Sequence, residues 1–284
     1  MSSEKPQVPA SELRPGDLLL HASTGEISKL IQWASDSDYS HIAMVFAPGL
    51  IAEARSAGVL FAERIEARVQ GLGTAFHFID VMRPKTPNPL PEPVLQALQE
   101  SAQAMKDADF ALNQMLQLGL ICALRNKMPG GSLAQGLVAR ILDRLVRQDP
   151  SKLVCSEFIY LAYAQAQTQP PGLLKPVITR APLPNRPWPS DFNLWGLLQE
   201  YQDAKEAPTD AVVEEVTALA AMAAFEKSAP AFDSLALQAR VLSARGATLL
   251  HAAKATAANV NPELTLPQDF RDSPSFEFIG TLVA

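Results

Sequence analysis

The stretch "SDYSHIAMVF", residues 37–46, places a histidine between a polar cluster and an apolar run that predicts a buried strand. The chain has four histidines, and the others have no comparable setting. We therefore expect the His41 imidazole at the edge of a sheet, beside polar groups, where a histidine is able to exchange protons near neutral pH. Taken alone, a histidine at such a place is more often a solvent-facing or hydrogen-bonded residue than a catalytic one.

The sequence around this stretch predicts a sheet and one helix. The segment "GEISKLIQWAS" carries apolar residues at helical spacing, and Pro48-Gly49 is a turn signal between two apolar runs, which predicts a hairpin. Short apolar or alternating runs predict the remaining strands. The predicted strands are "GDLLLHA" (16–22), "HIAMVFA" (41–47), "LIAEARS" (50–56), "GVLFAERI" (58–65) and "AFHFIDVMRP" (75–84).

Helices dominate after residue 90, which together with the preceding sheet predicts an α+β fold. Helices are predicted at 91–106, 112–124, 133–147 and 151–167. Residues 12–200 are assigned to one domain that carries a helical insert at about 110–148.

Beyond Tyr201 the composition becomes rich in alanine, with eleven acidic against six basic residues. Residues 201–284 are therefore predicted to be an acidic helical extension with long helices at 210–227 and 232–257. Its last stretch lacks periodicity, and we leave open whether it is partly disordered or wraps on the main domain.

Composition excludes several classes of protein. The net charge is −6, with no basic block that would indicate nucleic-acid binding. The first 16 residues lack the apolar core of a Sec signal, and the run 110–124 is too short to span a membrane. We therefore expect a cytoplasmic chain as synthesised, with export by a dedicated secretion system as an alternative. No metal site or cofactor is predicted, since no histidines or cysteines recur at metal-ligand spacing.

Two cysteines are present, and both are expected to be thiols. Cys155 falls in the first turn of a predicted helix, where unpaired backbone N–H groups and the helix dipole favour a thiolate. A buried, inert cysteine is the ordinary alternative, and Cys122 in "LGLICAL" fits that alternative better.

Glu53 lies within an otherwise apolar strand, an unusual position for a carboxylate unless it is paired. The hairpin register decides whether it reaches His41. A three-residue connection sets Glu53 opposite Ala43, on the same face as His41, whereas a two-residue Pro-Gly turn sets it opposite Met44 on the other face.

Cys155, His41 and Glu53 would together supply a nucleophile, a base and a carboxylate that orients the base. In ordinary papain-like chains the cysteine precedes the histidine, whereas here it follows. The pieces "LRPGDLLL", "SDYSHIAMV", "IAEARSAGV", "VCSEFIYLAY" and "WPSDF" occur in that order over residues 12–195. In this order the chain resembles the circularly permuted branch of the NlpC superfamily of papain-like cysteine hydrolases, the YiiX/YebB-like group.

The resemblance implies a permuted papain-like fold, with an antiparallel sheet or small barrel packed on the helix that bears the nucleophile. It implies that Cys155 is the nucleophile, His41 the general base and acid, and Glu53 the residue that fixes the imidazole. Tyr39 either contacts the substrate, as a lining or oxyanion-donating residue, or simply packs over the first helix.

The activity expected from the resemblance is cleavage of an amide or ester bond through a thioester, by hydrolysis or acyl transfer. The substrate is expected to be a small molecule, an N-acyl compound or lipid, or a peptide, and peripheral contact with a membrane is compatible with this. One alternative is a peptidoglycan-peptide amidase acting as an effector toxin. The other is an inactive binding module whose acidic tail engages a partner.

Overall fold

The structure, a computed structural model, describes residues 5–110 apart from 56, 57 and 86, residues 152–179 apart from 154, single positions between 186 and 199, and residues 265–284. Its elements in chain order are β1 (Gln7–Pro9), a 3₁₀ turn (Ala10–Glu12), β2 (Leu18–Ser23), α1 (Glu26–Ser35), β3 (His41–Ala47), β4 (Leu50–Arg55), β5 (Gly58–Arg64), α2 (Ile65–Gln70), β6 (Phe76–Pro84), α3 (Glu92–Gln103), β7 (Asp109–Phe110), β8 (Lys152–Leu153), α4 (Cys155–Gln165), α5 (Pro267–Arg271) and β9 (Phe276–Val283).

The main sheet has seven strands in the order β1-β9-β6-β2-β3-β4-β5. Its neighbours are antiparallel except β1 and β9, which pair in parallel. This mixed architecture, with an open sheet and helices, confirms the predicted α+β class. In the described part of the chain, no helix is both long enough and apolar enough to cross a membrane.

Alternating residues of the central strands build a core on each face of the sheet. On one face, Leu18, Leu20 and Met44 pack with Phe158 of α4 and Leu98 of α3. On the other face a smaller cluster is closed by the short helix α2. The larger cluster fixes α4 against the sheet, since fully burying one such side chain stabilises a fold by roughly 1.5–3 kcal/mol. The residues of the smaller cluster include Leu19, Ala43, Val45, Ile51, Val81 and, from α2, Ile65.

The hairpin of β3 and β4 combines the two registers that the sequence left open. Its turn is the short one, because Ala47 lies opposite Leu50. A β-bulge then shifts the pairing, so that Val45 lies opposite Ile51 and Met44 opposite Ala52. Continued by one residue, this register sets Glu53 opposite Ala43, on the same face as His41.

The end of the chain forms part of the sheet. Strand β9 lies between β1 and β6, and α5 immediately precedes it. The predicted extension, residues 201–284, therefore includes a stretch that packs in the sheet. Residues 201–264, with the predicted helices 210–227 and 232–257, lie outside the described residues. The predicted helices 112–124 and 133–147 of the insert also lie outside them.

Candidate active site

The first residue of one strand and the first residue of one helix meet at the candidate site. These residues are His41, which begins β3, and Cys155, which begins α4. Strand β8 pairs in parallel with β7 just before Cys155 and so returns the chain from the insert to the body of the fold. Cys155 is 3% exposed, and the N–H groups of the first turn of α4 have no partner within the helix.

A hydrogen-bonded loop between α1 and β3 positions His41. Helix α1 ends at Ser35, and the next residue, Asp36, has a φ of 55°, the left-handed conformation that reverses the chain after a helix. The Tyr39 N–H then donates to the Ser37 hydroxyl at 2.9 Å. The Ser40 N–H donates to the His21 carbonyl at 2.9 Å, which starts the pairing of β3 with β2. The polar cluster before His41 thus forms a turn that sets the register of the strand.

The His41 imidazole interacts with both Cys155 and Glu53. Its Nε2 lies 2.7 Å from Oε2 of Glu53, which leaves Nδ1 as the ring nitrogen for the thiol. Burial lowers the pKa of His41. The charge of Cys155 and its hydrogen bond with the ring, and then the hydrogen bond and charge of Glu53, outweigh burial and raise the pKa to about 9. The site therefore favours a protonated imidazole at neutral pH.

Glu53 is fully buried and ionised. Burial alone would raise the pKa of its carboxyl. The hydrogen bond from His41, the charge of His41 and the charge of Arg68 outweigh burial and bring this pKa far below the usual range. The second carboxylate oxygen, Oε1, accepts a hydrogen bond from Arg68, and Arg55 lies 3.5 Å from it. Each oxygen thus faces a cation, and the His41 ring is oriented by an anion that is itself held in place.

Arg68 is a site residue that the sequence reasoning missed. It lies on α2, its side chain is 7% exposed, and its guanidinium lies 3.5 Å from Glu63 and 5.6 Å from the ring centre of Phe76. A signal was present, since Ile65, Arg68 and Val69 follow helical spacing and put the arginine on an apolar face. In the sequence, only Ile65 of this stretch is assigned, as the last residue of a predicted strand, and no element is predicted at residues 66–74.

His21 also lies beside the site, opposite His41 on β2. The two ring centres are 5.2 Å apart, and His21 is fully buried with neither ring nitrogen hydrogen-bonded. Burial first, and then the charges of His41 and Arg68, hold its pKa well below the ordinary value. His21 is therefore a neutral neighbour of the charged pair.

Tyr39 is 4% exposed, and its hydroxyl donates to Oδ2 of Asp80 at 2.7 Å. Burial and the neighbouring carboxylate of Asp80 raise the pKa of Tyr39 well above its usual value. Because the single hydroxyl proton is engaged by Asp80, it is not offered to a substrate oxygen in this arrangement. Asp80 also accepts hydrogen bonds from Lys5 at 2.9 Å and Thr281 at 2.7 Å, so Tyr39 ties the loop before His41 to β6 and β9.

The site contains no metal-binding cluster within the described ranges, where no group of three or more His, Cys, Asp or Glu side chains could hold an ion. Three described residues predicted to act together, Cys155, His41 and Glu53, are brought together by the fold.

Comparisons with known proteins give a weak likeness to a solved structure. No protein-family model matches the sequence, and a search of curated proteins finds no match. Among solved structures, the chain is similar to the crystal structure of the metalloprotein yiiX from Escherichia coli O157:H7, with a TM-score of 0.36 and 19% identity. The match covers 54% of this chain and 66% of the yiiX chain, so this chain spans slightly less than two thirds of that protein.

Proposed function

We propose that the protein is a cysteine hydrolase or acyltransferase that cleaves an amide or ester bond through Cys155, His41 and Glu53. The observation that carries the proposal is the position of His41, whose Nε2 is 2.7 Å from a buried, ionised Glu53 and whose ring also interacts with the Cys155 thiol. A nucleophile, a base and a group that orients the base are what acyl transfer requires.

The proposed reaction has two halves. The Cys155 thiolate attacks the carbonyl carbon, forming a C–S bond, and the carbonyl oxygen becomes an oxyanion. The protonated His41 gives its proton to the leaving nitrogen or oxygen as the bond to that atom breaks. Neutral His41 then takes a proton from water or another acceptor, which attacks the thioester carbonyl and releases the thiolate.

The backbone N–H of Cys155 is a donor for the oxyanion. It lies at the beginning of α4, where the first N–H groups have no partner within the helix and the helix dipole favours negative charge. Such donors act at the atom where charge develops, so they lower the barrier rather than only strengthening binding.

We further propose that the fold is a permuted papain-like fold of the NlpC type. The order of the site elements supports this, since the strands bearing His41 and Glu53 precede the helix bearing Cys155. The packing of α4 on the central strands supports it as well.

The test is hydrolysis of a panel containing purified muropeptides, N-acyl amino compounds and phospholipids, all with one preparation of the protein. The wild type is expected to cleave one class and to form a thioester that mass spectrometry finds on the peptide containing Cys155. Cys155→Ala should abolish both, and the matched variant Cys122→Ser should retain both. Equal turnover by wild type and Cys155→Ala, or no cleavage of any class by the wild type, would contradict the proposal.

A further inference from the structure

Resting on that proposed function, we propose that Arg68 is a positioning residue that keeps Glu53 ionised during the half of the reaction in which His41 is neutral. It acts through Glu53 and has no contact with the reacting atoms. Its role would make the site a linear chain of four groups, from Cys155 through His41 and Glu53 to Arg68.

The two oxygens of Glu53 divide its partners. Oε2 faces Nε2 of His41, and Oε1 faces Nη2 of Arg68. The Glu53 side chain is 0% exposed and the Arg68 side chain 7% exposed, so water screens the attraction between their charges only weakly. A hydrogen bond between two buried, ionised groups is among the stronger polar contacts in proteins.

The need for Arg68 follows from the proton cycle. While His41 is protonated, the carboxylate faces two positive groups. Once His41 has given its proton to the leaving group, one of those charges is gone, and a buried carboxylate without a cation favours its neutral form. A guanidinium keeps its charge across the working range of pH, so an arginine supplies this cation in both halves of the reaction.

Among the described neighbours of Glu53, none other than Arg68 supplies a buried positive charge that remains when His41 is neutral. Arg55 lies 3.5 Å from Oε1, but its side chain is 47% exposed, and solvent screens such a pair. His21 is held neutral in its buried position. Glu63, 3.5 Å from Arg68, carries a negative charge and cannot replace a cation.

Loss of the Arg68 charge has a defined consequence. Glu53 would take up a proton at higher pH, and the imidazolium of His41 would lose its anionic partner. The reactive thiolate-imidazolium pair would then form only at higher pH. We expect the acid limb of Cys155 reactivity to move up by about one pH unit, the lower end of shifts caused by a nearby opposite charge.

The experiment measures the rate of alkylation of Cys155 by iodoacetamide from pH 4 to pH 10, read on the Cys155 peptide by mass spectrometry so that Cys122 does not contribute. Arg68→Met should move the acid limb up by about one pH unit, and Arg68→Lys should move it less. The matched control, Arg55→Met, should leave it in place. In a Glu53→Gln background, Arg68→Met should add no further shift, because its effect passes through Glu53.

Circular dichroism checks the fold of each variant, and Arg68→Gln replaces Arg68→Met should the latter not fold. A profile of folded Arg68→Met that superimposes on the wild type, or an equal shift in Arg55→Met, would overturn the inference and leave the proposed function standing. A wild type whose alkylation follows that of a free thiol would overturn the proposed function itself, and the inference with it.

Discussion

Nε2 of His41 lies 2.7 Å from Oε2 of Glu53, across neighbouring strands of one hairpin. The contact depends on the β-bulge near Phe46, because the short Pro48-Gly49 turn alone would put the two side chains on opposite faces of the sheet. A local irregularity of the backbone thus determines whether the imidazole has an anion to orient it.

Replacing Glu53 with Gln should lower activity and narrow its pH range. The ionised carboxylate helps raise the pKa of His41 to about 9, so its removal lowers that pKa, and the basic limb of kcat/KM should move from about 9 to lower pH. We expect a loss of at least about tenfold in kcat, since positioned acid-base groups contribute about a hundredfold or more. Glu66→Gln, which changes an exposed carboxylate paired with Arg64, is the control and should keep both the activity and its pH range. A basic limb that stays near 9 in Glu53→Gln would contradict this role.

His21 should make the protein less stable as the pH falls. Its pKa in the folded state is held well below the ordinary value of 6.5, so below pH 6.5 the unfolded chain binds a proton that the folded chain does not. Stability is then lost with decreasing pH, by at most about 1.4 kcal/mol per pH unit for one group. Urea unfolding at pH 7, 6 and 5 should show His21→Met gaining stability relative to the wild type as pH falls. His77→Met, at an exposed position, is the control. A difference that is constant with pH would contradict the prediction.

Tyr39→Phe should cost stability rather than catalysis. The variant leaves the buried carboxylate of Asp80 without one of its donors, which we expect to cost about 1–3 kcal/mol. Turnover should change by only a few-fold. Thr281→Val removes a second donor to the same carboxylate, far along the chain, and should behave alike. A loss of about a hundredfold in kcat with an intact fold would instead identify Tyr39 as an oxyanion donor.

The pairing of the two chain ends should be sensitive at Gly280. A Cβ there would lie 2.4 Å from the carbonyl oxygen of Pro6, which accepts the Thr281 N–H at 2.7 Å and so has no room to retreat. Gly280→Ala should lower the free energy of unfolding by about 1–3 kcal/mol, measured with urea. Gly73→Ala, where φ is +79° and the space is open, reports the cost of backbone strain alone. An equal or smaller loss at Gly280 than at Gly73 would argue against a tight β1–β9 pairing.

Local patterns were sufficient for the first half of the fold. Three elements can each be predicted from about ten residues of sequence: the hairpin turn at Pro48-Gly49, β6 from its alternation, and α1 from its helical spacing. The register of the hairpin was not decidable in this way. The bulge near Phe46 coincides with the packing of that ring on Phe61, with centres 5.1 Å apart, and this contact involves a third strand.

Non-local pairing explains the other omissions. Strand β9 begins in the stretch that lacks periodicity, and its place between β1 and β6 joins residues more than 190 positions apart. The helical spacing of α2 places Arg68 on its apolar face, but it does not show that this six-residue helix folds back on β4 and brings Arg68 to Glu53. For the site, the polar setting of His41, the unusual carboxylate at Glu53 and the helix start at Cys155 each indicated chemistry, whereas His21 gave no such indication.

The most direct test of the account is the titration of the His41 ring, followed by proton-nitrogen NMR of the labelled imidazole. In the wild type its pKa should be about 9, and in Cys155→Ala it should fall, because the charge of the sulfur and its hydrogen bond with the ring are lost. A wild-type ring that titrates near 6.5, the ordinary value, or one that Cys155→Ala leaves unchanged, would contradict a thiolate-imidazolium pair at this site.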